Sequence, residues 1–149
     1  MGDLEQDLAL HTVIGVDTTP FIYLWERHPR YFALSQTLFS HLKQPEVYGV
    51  TSIITLIEAC VHPQRQGQLD VVQAYERALL YSQQVQILAV DAALARRAVI
   101  LRAQYNIRVP DAIQIAAAIE AGATAFVTND RKLTKVRESQ VLLLEDYTR

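Results

Sequence analysis

Cysteine is nearly missing from this 149-residue chain, and the one present, Cys60, has no thiol to pair with. An internal disulfide and a zinc site built on a Cys pair are both excluded. Within ITLIEAC, Cys60 reads as a small core residue. The four histidines, His11, His28, His41 and His62, are scattered without helical pairing. They read as surface or loop residues, which leaves zinc without ligands. An excess of positive charge is also lacking. Lys and Arg number 14 against 16 Asp and Glu, for a net charge of −2, unlike a basic nucleic-acid coat protein. No apolar run approaches the roughly 20 residues that cross a bilayer. The opening MGDLEQDLAL is acidic and lacks the basic start and apolar centre of a signal peptide, so a soluble cytoplasmic protein is expected. Repeats, low-complexity tracts and dividing linkers are absent, which points to one domain over 1–149. Half of the residues are hydrophobic, enough for a real core.

The apolar residues fall into short runs alternating with helical spacings. A strand is expected over 12–16, ending at Asp17, with Thr18, Thr19 and Pro20 suited to a helix start. Helices follow over 21–26 and 29–43, then a strand over 47–51 with Ser52 as a cap. A helix over 53–61 should stop before Pro63. Further on come a helix over 69–82, a strand over 85–90 and a helix over 92–105 capped by Asp91. The next helix runs from Pro110 to a left-handed end at Gly122. A strand over 125–128, one turn over 131–133 and a strand over 141–144 complete the chain. This alternation implies a three-layer α/β/α sandwich around a mostly parallel, five-stranded sheet.

Such sheets bind ligands beyond the carboxyl ends of their strands. Asp17 directly follows the first strand, and Asp130 follows the fourth after Thr128 and Asn129. Glu58 lies three residues past Thr55 and six past Ser52, on one helix face among isoleucines. Asp111 opens AIQIAAAIEAG, a helix apolar nearly all round and therefore buried. Each acid has an ordinary reading alone: Asp17 and Asp111 as helix caps, Asp130 as a turn residue, Glu58 as an arginine partner. Four beside one rim repel and resist desolvation unless a positive charge joins them. Arg108 is the one basic residue within three positions of Asp17, Glu58 or Asp111. A divalent cation is the simplest partner.

VDTTPFIYL, SIITLIEA, VPDAIQIAAAIEAGA and FVTNDRKL, in this order, resemble the four sequence blocks of the PIN domain family. The resemblance runs from about Thr12 to Leu144, nearly the whole chain. It implies a metal-dependent ribonuclease in which Asp17, Glu58, Asp111 and Asp130 hold the metal and carry the catalysis. By the same resemblance Thr18, Thr128 and Asn129 support the site. Thr19 departs from the family pattern, which commonly has Asn there. Many small members are VapC-type toxins, which implies a homodimer and a small antitoxin protein as partner. Helices over 21–25 and 31–42 are candidate dimer surfaces, although core packing competes for the same residues.

Oxygen-only ligands favour Mg²⁺ or Mn²⁺. Such an ion suits cleavage of an RNA phosphodiester by activated water. Arg131, Lys132, Lys135 and Arg137 form the densest basic run, directly after Asp130, and with Arg108 they are the candidate RNA contacts. Single-stranded or looped RNA is the expected substrate. An aspartyl phosphatase needs a second Asp two residues after the first, where Thr19 stands. A receiver domain needs paired acids near its first strand, and Asp17 is isolated. A stand-alone RNA-processing nuclease and a non-catalytic RNA- or protein-binding module remain the other readings.

Overall fold

The computed structural model describes residues 2–148. Its centre is a parallel sheet of five strands in the order β3-β2-β1-β4-β5. These are β1 (Val13–Val16), β2 (Tyr48–Ser52), β3 (Val85–Leu88), β4 (Ala125–Thr128) and β5 (Gln140–Leu143). Among the described residues seven α-helices accompany them: α1 (Leu4–Leu8), α2 (Thr18–Trp25), α3 (Phe32–His41), α4 (Ile54–Arg65), α5 (Leu69–Leu80), α6 (Ala92–Tyr105) and α7 (Val109–Glu120).

Strand alternation sorts the core into two layers. Ile14, Val16, Ala125 and Val127 join Leu4, Leu8, Phe21, Leu38 and Leu79 on one face of the sheet. Val50 and Phe126 meet Leu94, Leu101, Ile115 and Ala116–Ala118 of α6 and α7 on the other. The expected three-layer sandwich is therefore formed. Phe21, Leu38 and Leu42, considered for a dimer surface, are buried in the chain's own core.

Helix α7 lies flush on β1 because nothing stands between them. A Cβ added at Gly15 would lie 2.5 Å from Ala118 Cβ and 2.8 Å from Phe126 Cδ1. The small residues of the AAA run and Gly15 thus set the helix-to-sheet distance.

Several boundaries differ from expectation, each for a local reason. Helix α1 arises from Leu4 and Leu8, one turn apart and both buried, with Asp3 capping Glu5 N at 2.9 Å. Helix α2 begins earlier, at Thr18, because Asp17 caps it, and Pro20 fits its first turn. Residues 29–31 stay outside α3, where the His28 ring accepts from Arg30 N at 3.1 Å and Tyr31 N at 3.3 Å. Helix α4 runs through Pro63, which lies in its last turns, and the chain leaves it at Gly67 with φ +69. Strand β3 stops two residues early, and a 3₁₀ helix, Leu144–Tyr147, follows β5. Gly122 takes φ +80 after α7, as expected.

Two readings of side chains need correction. Cys60 is half-buried between α4 and α5, its Sγ 3.9 Å from Val72 O, rather than sealed in the core. His11 and His41 are buried, not on the surface. His11 Nδ1 meets Thr124 Oγ1 at 2.7 Å and Nε2 meets Gln140 Oε1 at 2.9 Å, while His41 Nε2 lies 3.3 Å from His11 O. Both ring nitrogens of His11 are satisfied by residues remote in sequence. Among the described residues no helix is long and apolar enough to cross a membrane.

The Gly15 contact yields a stability test. Gly15→Ala should destabilise the fold by about 1–3 kcal/mol through overpacking. Adding Ala118→Gly should recover part of that loss. Urea denaturation of the two single variants and the double reads the coupling, and strictly additive losses would show that α7 does not set the spacing here.

Candidate functional site

The parallel topology gathers the carboxyl ends of β1, β2 and β4 on one rim. Asp17 is the first residue beyond β1, and Asp130 the second beyond β4. Helix α7 runs back toward the amino ends, since it leads into β4, so its first turn and Asp111 lie at the same rim. Helix α4 leaves β2 and brings Glu58 there on its second turn. The result is an open pocket of about 400 Å³ lined by Asp17, Thr18, Glu58, Arg108, Asp111 and Asp130. Thr19, Ile22, Tyr23, Asn129 and Arg131 complete the wall.

Each acid is held by its own surroundings. Asp17 is 8% exposed. Its Oδ1 accepts from Thr18 N at 2.9 Å, and its Oδ2 accepts from Thr128 Oγ1 at 2.7 Å. Burial pushes its carboxyl up to about 6 despite those two bonds, with Asp111 and Glu58 adding repulsion. The Thr128 hydroxyl also accepts from Asp130 N at 3.1 Å, and Asp130 Oδ1 accepts from Lys132 N at 3.0 Å. Glu58 Oε1 accepts from Thr18 Oγ1 at 2.8 Å. Asp111 is raised chiefly by burial, with Arg108 opposing and Asp130 and Glu58 adding to the rise. The Arg108 Nε is 3.6 Å from Asp111 Oδ2, but that guanidinium is 74% exposed and a weak counter-charge.

All four acids predicted from sequence therefore face one pocket, and Asp17 and Asp111 feel the charge of acids beside them. Among the described residues, however, no group of three or more His, Cys, Asp or Glu side chains is already gathered closely enough to hold one ion. Protein donors engage oxygens of Asp17, Glu58 and Asp130. The donor chemistry, carboxylate oxygen throughout, fits a hard divalent ion.

The supporting residues divide by role. Thr18 and Thr128 bond the acids directly. Asn129 instead ties elements together, donating to Tyr23 Oη at 3.0 Å and accepting from Glu145 N at 2.9 Å. Among the basic candidates, Arg108 and Arg131 line the pocket. Arg131 Nη2 also pairs with Asp146 Oδ1 at 2.9 Å. Lys132 is exposed, and its charge reaches Asp111. Lys135 and Arg137 are exposed and outside the pocket wall. Sequence reasoning missed Gln114, a buried amide at the centre of a polar cluster with Ser52, Thr55 and Thr18. Its place one turn after Asp111, on the same face, was the available signal.

The PIN domain family's sequence profile matches residues 14–139, and the chain belongs to that family. Its fold is similar to three solved toxin structures. A toxin–antitoxin complex from Klebsiella pneumoniae aligns with TM-score 0.66 at 22% identity, over 89% of this chain and 97% of that one. VapBC2 from Rickettsia felis, bound to a DNA fragment from its promoter, gives 0.66 at 18% identity, over 88% and 98%. Mycobacterium tuberculosis VapC20, a toxin that cleaves the sarcin–ricin loop, gives 0.65 at 19% identity, over 86% and 98%. No curated protein sequence matches the chain significantly.

The raised Asp17 carboxyl sets a pH dependence. Between about pH 4 and 6 the folded protein holds this proton while the unfolded chain sheds it, so rising pH lowers stability across that window. The shift corresponds to about 3 kcal/mol, fully present above pH 6. Asp17→Asn keeps a good cap and lacks the charge. In chelator, its stability relative to wild type should climb from pH 4 to 7, as read by urea denaturation at each pH. A flat difference would place the Asp17 proton elsewhere.

Proposed function

We propose that this protein is a Mg²⁺- or Mn²⁺-dependent ribonuclease, and the toxin of a type II toxin–antitoxin pair. The observation that supports the chemistry most directly is the pocket wall itself. Four carboxylates from four separate segments, Asp17, Glu58, Asp111 and Asp130, converge beside Arg108 and Arg131. These acids are the proposed holders of the ion. When bound, Mg²⁺ or Mn²⁺ supplies water activation and stabilises charge on the phosphodiester.

The chain's own residues do the rest. Thr18 N–H and the Thr128 hydroxyl fix both oxygens of Asp17, so this ligand is oriented before anything binds. Thr18 Oγ1 orients Glu58, which either joins the ligands or directs the attacking water. Arg108 and Arg131, at the pocket mouth, attract and align the phosphate backbone, with Lys132 adding to the local field. The open shape suits single-stranded or looped RNA, whose backbone can reach the acids.

The toxin role rests on membership of the PIN family and on the likeness of fold to toxins from three bacteria. It carries with it a cytoplasmic site of action, a homodimer and a small antitoxin protein as partner. A stand-alone RNA-processing nuclease shares the chemistry but not the partner, and expression in a bacterial host separates the two. Growth arrest by wild type but not by Asp17→Asn supports the toxin. Cleavage of one defined precursor without arrest supports processing.

The expected biochemical result is cleavage of total cellular RNA that requires Mn²⁺ or Mg²⁺ and stops in chelator. Asp111→Asn should lower cleavage at least as far as loss of an outer-sphere partner does, about 10- to 100-fold. It should also remove most of the rise in melting temperature that Mn²⁺ gives wild type. Mn²⁺ binding with no cleavage of any RNA would identify a binding module instead. Arg108→Ala and Arg131→Ala should each weaken RNA binding and flatten its salt dependence, measured by fluorescence anisotropy across a salt series.

A further inference from the structure

Gln114 is 1% exposed, three residues beyond Asp111 on α7, and its carboxamide is bonded at both ends. Chemistry fixes which end is which. A backbone N–H can only donate, and Ser52 N lies 3.1 Å from Oε1, so the oxygen faces the end of β2. Ser52 Oγ donates to the same oxygen at 2.6 Å. The amide nitrogen must then face the other way, where it donates to Thr55 Oγ1 at 2.8 Å and Thr18 Oγ1 at 3.1 Å.

This settles the Thr18 hydroxyl. It receives an N–H from Gln114 and has one proton to give. Two oxygens are near: Thr55 Oγ1 at 3.3 Å and Glu58 Oε1 at 2.8 Å. Thr55 already receives from Gln114 and lies 2.7 Å from Thr51 Oγ1. The carboxylate is closer and is the stronger acceptor. Thr18 is also the one hydrogen-bond partner that Glu58 has among the described residues.

We infer that Gln114 is a positioning residue. A directed chain of hydrogen bonds runs from the Ser52 backbone through the Gln114 carboxamide and the Thr18 hydroxyl to Glu58, and it holds that carboxylate in the pocket. Helix α7 thus supplies one acid, Asp111, and the arm that orients another. Without the Gln114 donor, the Thr18 hydroxyl is free to turn toward Thr55. Glu58, half-buried on a three-bond side chain, then loses its tether. The inference rests on the proposed reading of this pocket as an ion site, while its kinetic arm alone depends on RNA cleavage.

The test compares wild type, Gln114→Met, Thr18→Val, Thr18→Ser and the Gln114→Met/Thr18→Val double variant. Mn²⁺ affinity is read from the spin-resonance signal of the free ion, and kcat and KM from RNA cleavage. Gln114→Met and Thr18→Val should each weaken Mn²⁺ binding by about 10- to 100-fold, the usual effect of losing an outer-sphere partner. The double variant should be no weaker than Thr18→Val alone, because both changes break one chain. Thr18→Ser, which keeps the hydroxyl, should bind as wild type does. In cleavage the loss should fall on kcat at saturating Mn²⁺, with KM for RNA unchanged.

Wild-type Mn²⁺ affinity in folded Gln114→Met, or single losses that sum in the double variant, would overturn the inference. If Gln114→Met does not fold, Gln114→Met/Ser52→Ala removes the orphaned Ser52 hydroxyl and carries the same expectation. If that also fails to fold, Gln114 is core cement only, and the inference fails. A wild type that shows this coupling in Mn²⁺ binding but cuts no RNA refutes the ribonuclease reading and leaves the relay standing. A wild type that binds no Mn²⁺ refutes both.

Discussion

Close approach between α7 and β1 is the constraint from which the rest of the molecule follows. Gly15 has no side chain where Ala118 presses in, and the alanines around it let the helix settle onto the centre of the sheet. Strand β1 is the middle strand of five, flanked by β2 and β4. A helix seated on it therefore delivers its first turn to the point where three strands end. Asp111 reaches the pocket, and Gln114 the polar cluster behind it, because α7 sits that low. A larger residue at either contact would lift the helix and draw both away from Asp17 and Ser52.

At the rim, loss of water governs Asp17 and Asp111 more than pairing does. Asp17 keeps two good hydrogen bonds and still titrates far above an ordinary aspartate, because burial outweighs them. Asp111 has an arginine three residues away and is nonetheless raised, because that guanidinium is mostly in water. The chain's own cations are thus too solvated to neutralise the site. The buried hydroxyls and amide around Ser52, Thr55 and Gln114 supply orientation but no charge. The pocket thus holds more carboxylate than the exposed Arg108 offsets, and among the described residues its acids are not gathered around one point.

Much of this was legible from the chain, and the parts that were not share a cause. The rim position of Asp17 and Asp130 followed from strand ends, and that of Asp111 from a proline-opened apolar helix, all local signals. The run AIQIAAAIE reads as apolar, and one amide within it shows no period of its own. Its spacing from Asp111 marks the face it shares, but its partners appear only when Ser52 and Thr18, 62 and 96 residues away, close around it. The burial of His11 is hidden from the sequence for the same reason, since Thr124 and Gln140, which bond its ring, lie 113 and 129 residues on. Pro63 stays inside α4, two residues from its end, where it forfeits one i→i−4 bond and crowds the Ala59 carbonyl. Local chemistry writes the elements and their ends, whereas buried polar partnerships depend on the finished topology.

Asp17 and Asp130 also act as backbone caps, each accepting an N–H from the turn that follows. Asparagine caps a helix about as well as aspartate does. If these acids carry the proposed chemistry, a lineage of such chains has a short route to silence, in which an acid becomes its amide and the architecture survives. Under the proposed function, descendants of that kind would keep the fold and its outer surfaces while losing the charge that holds the ion.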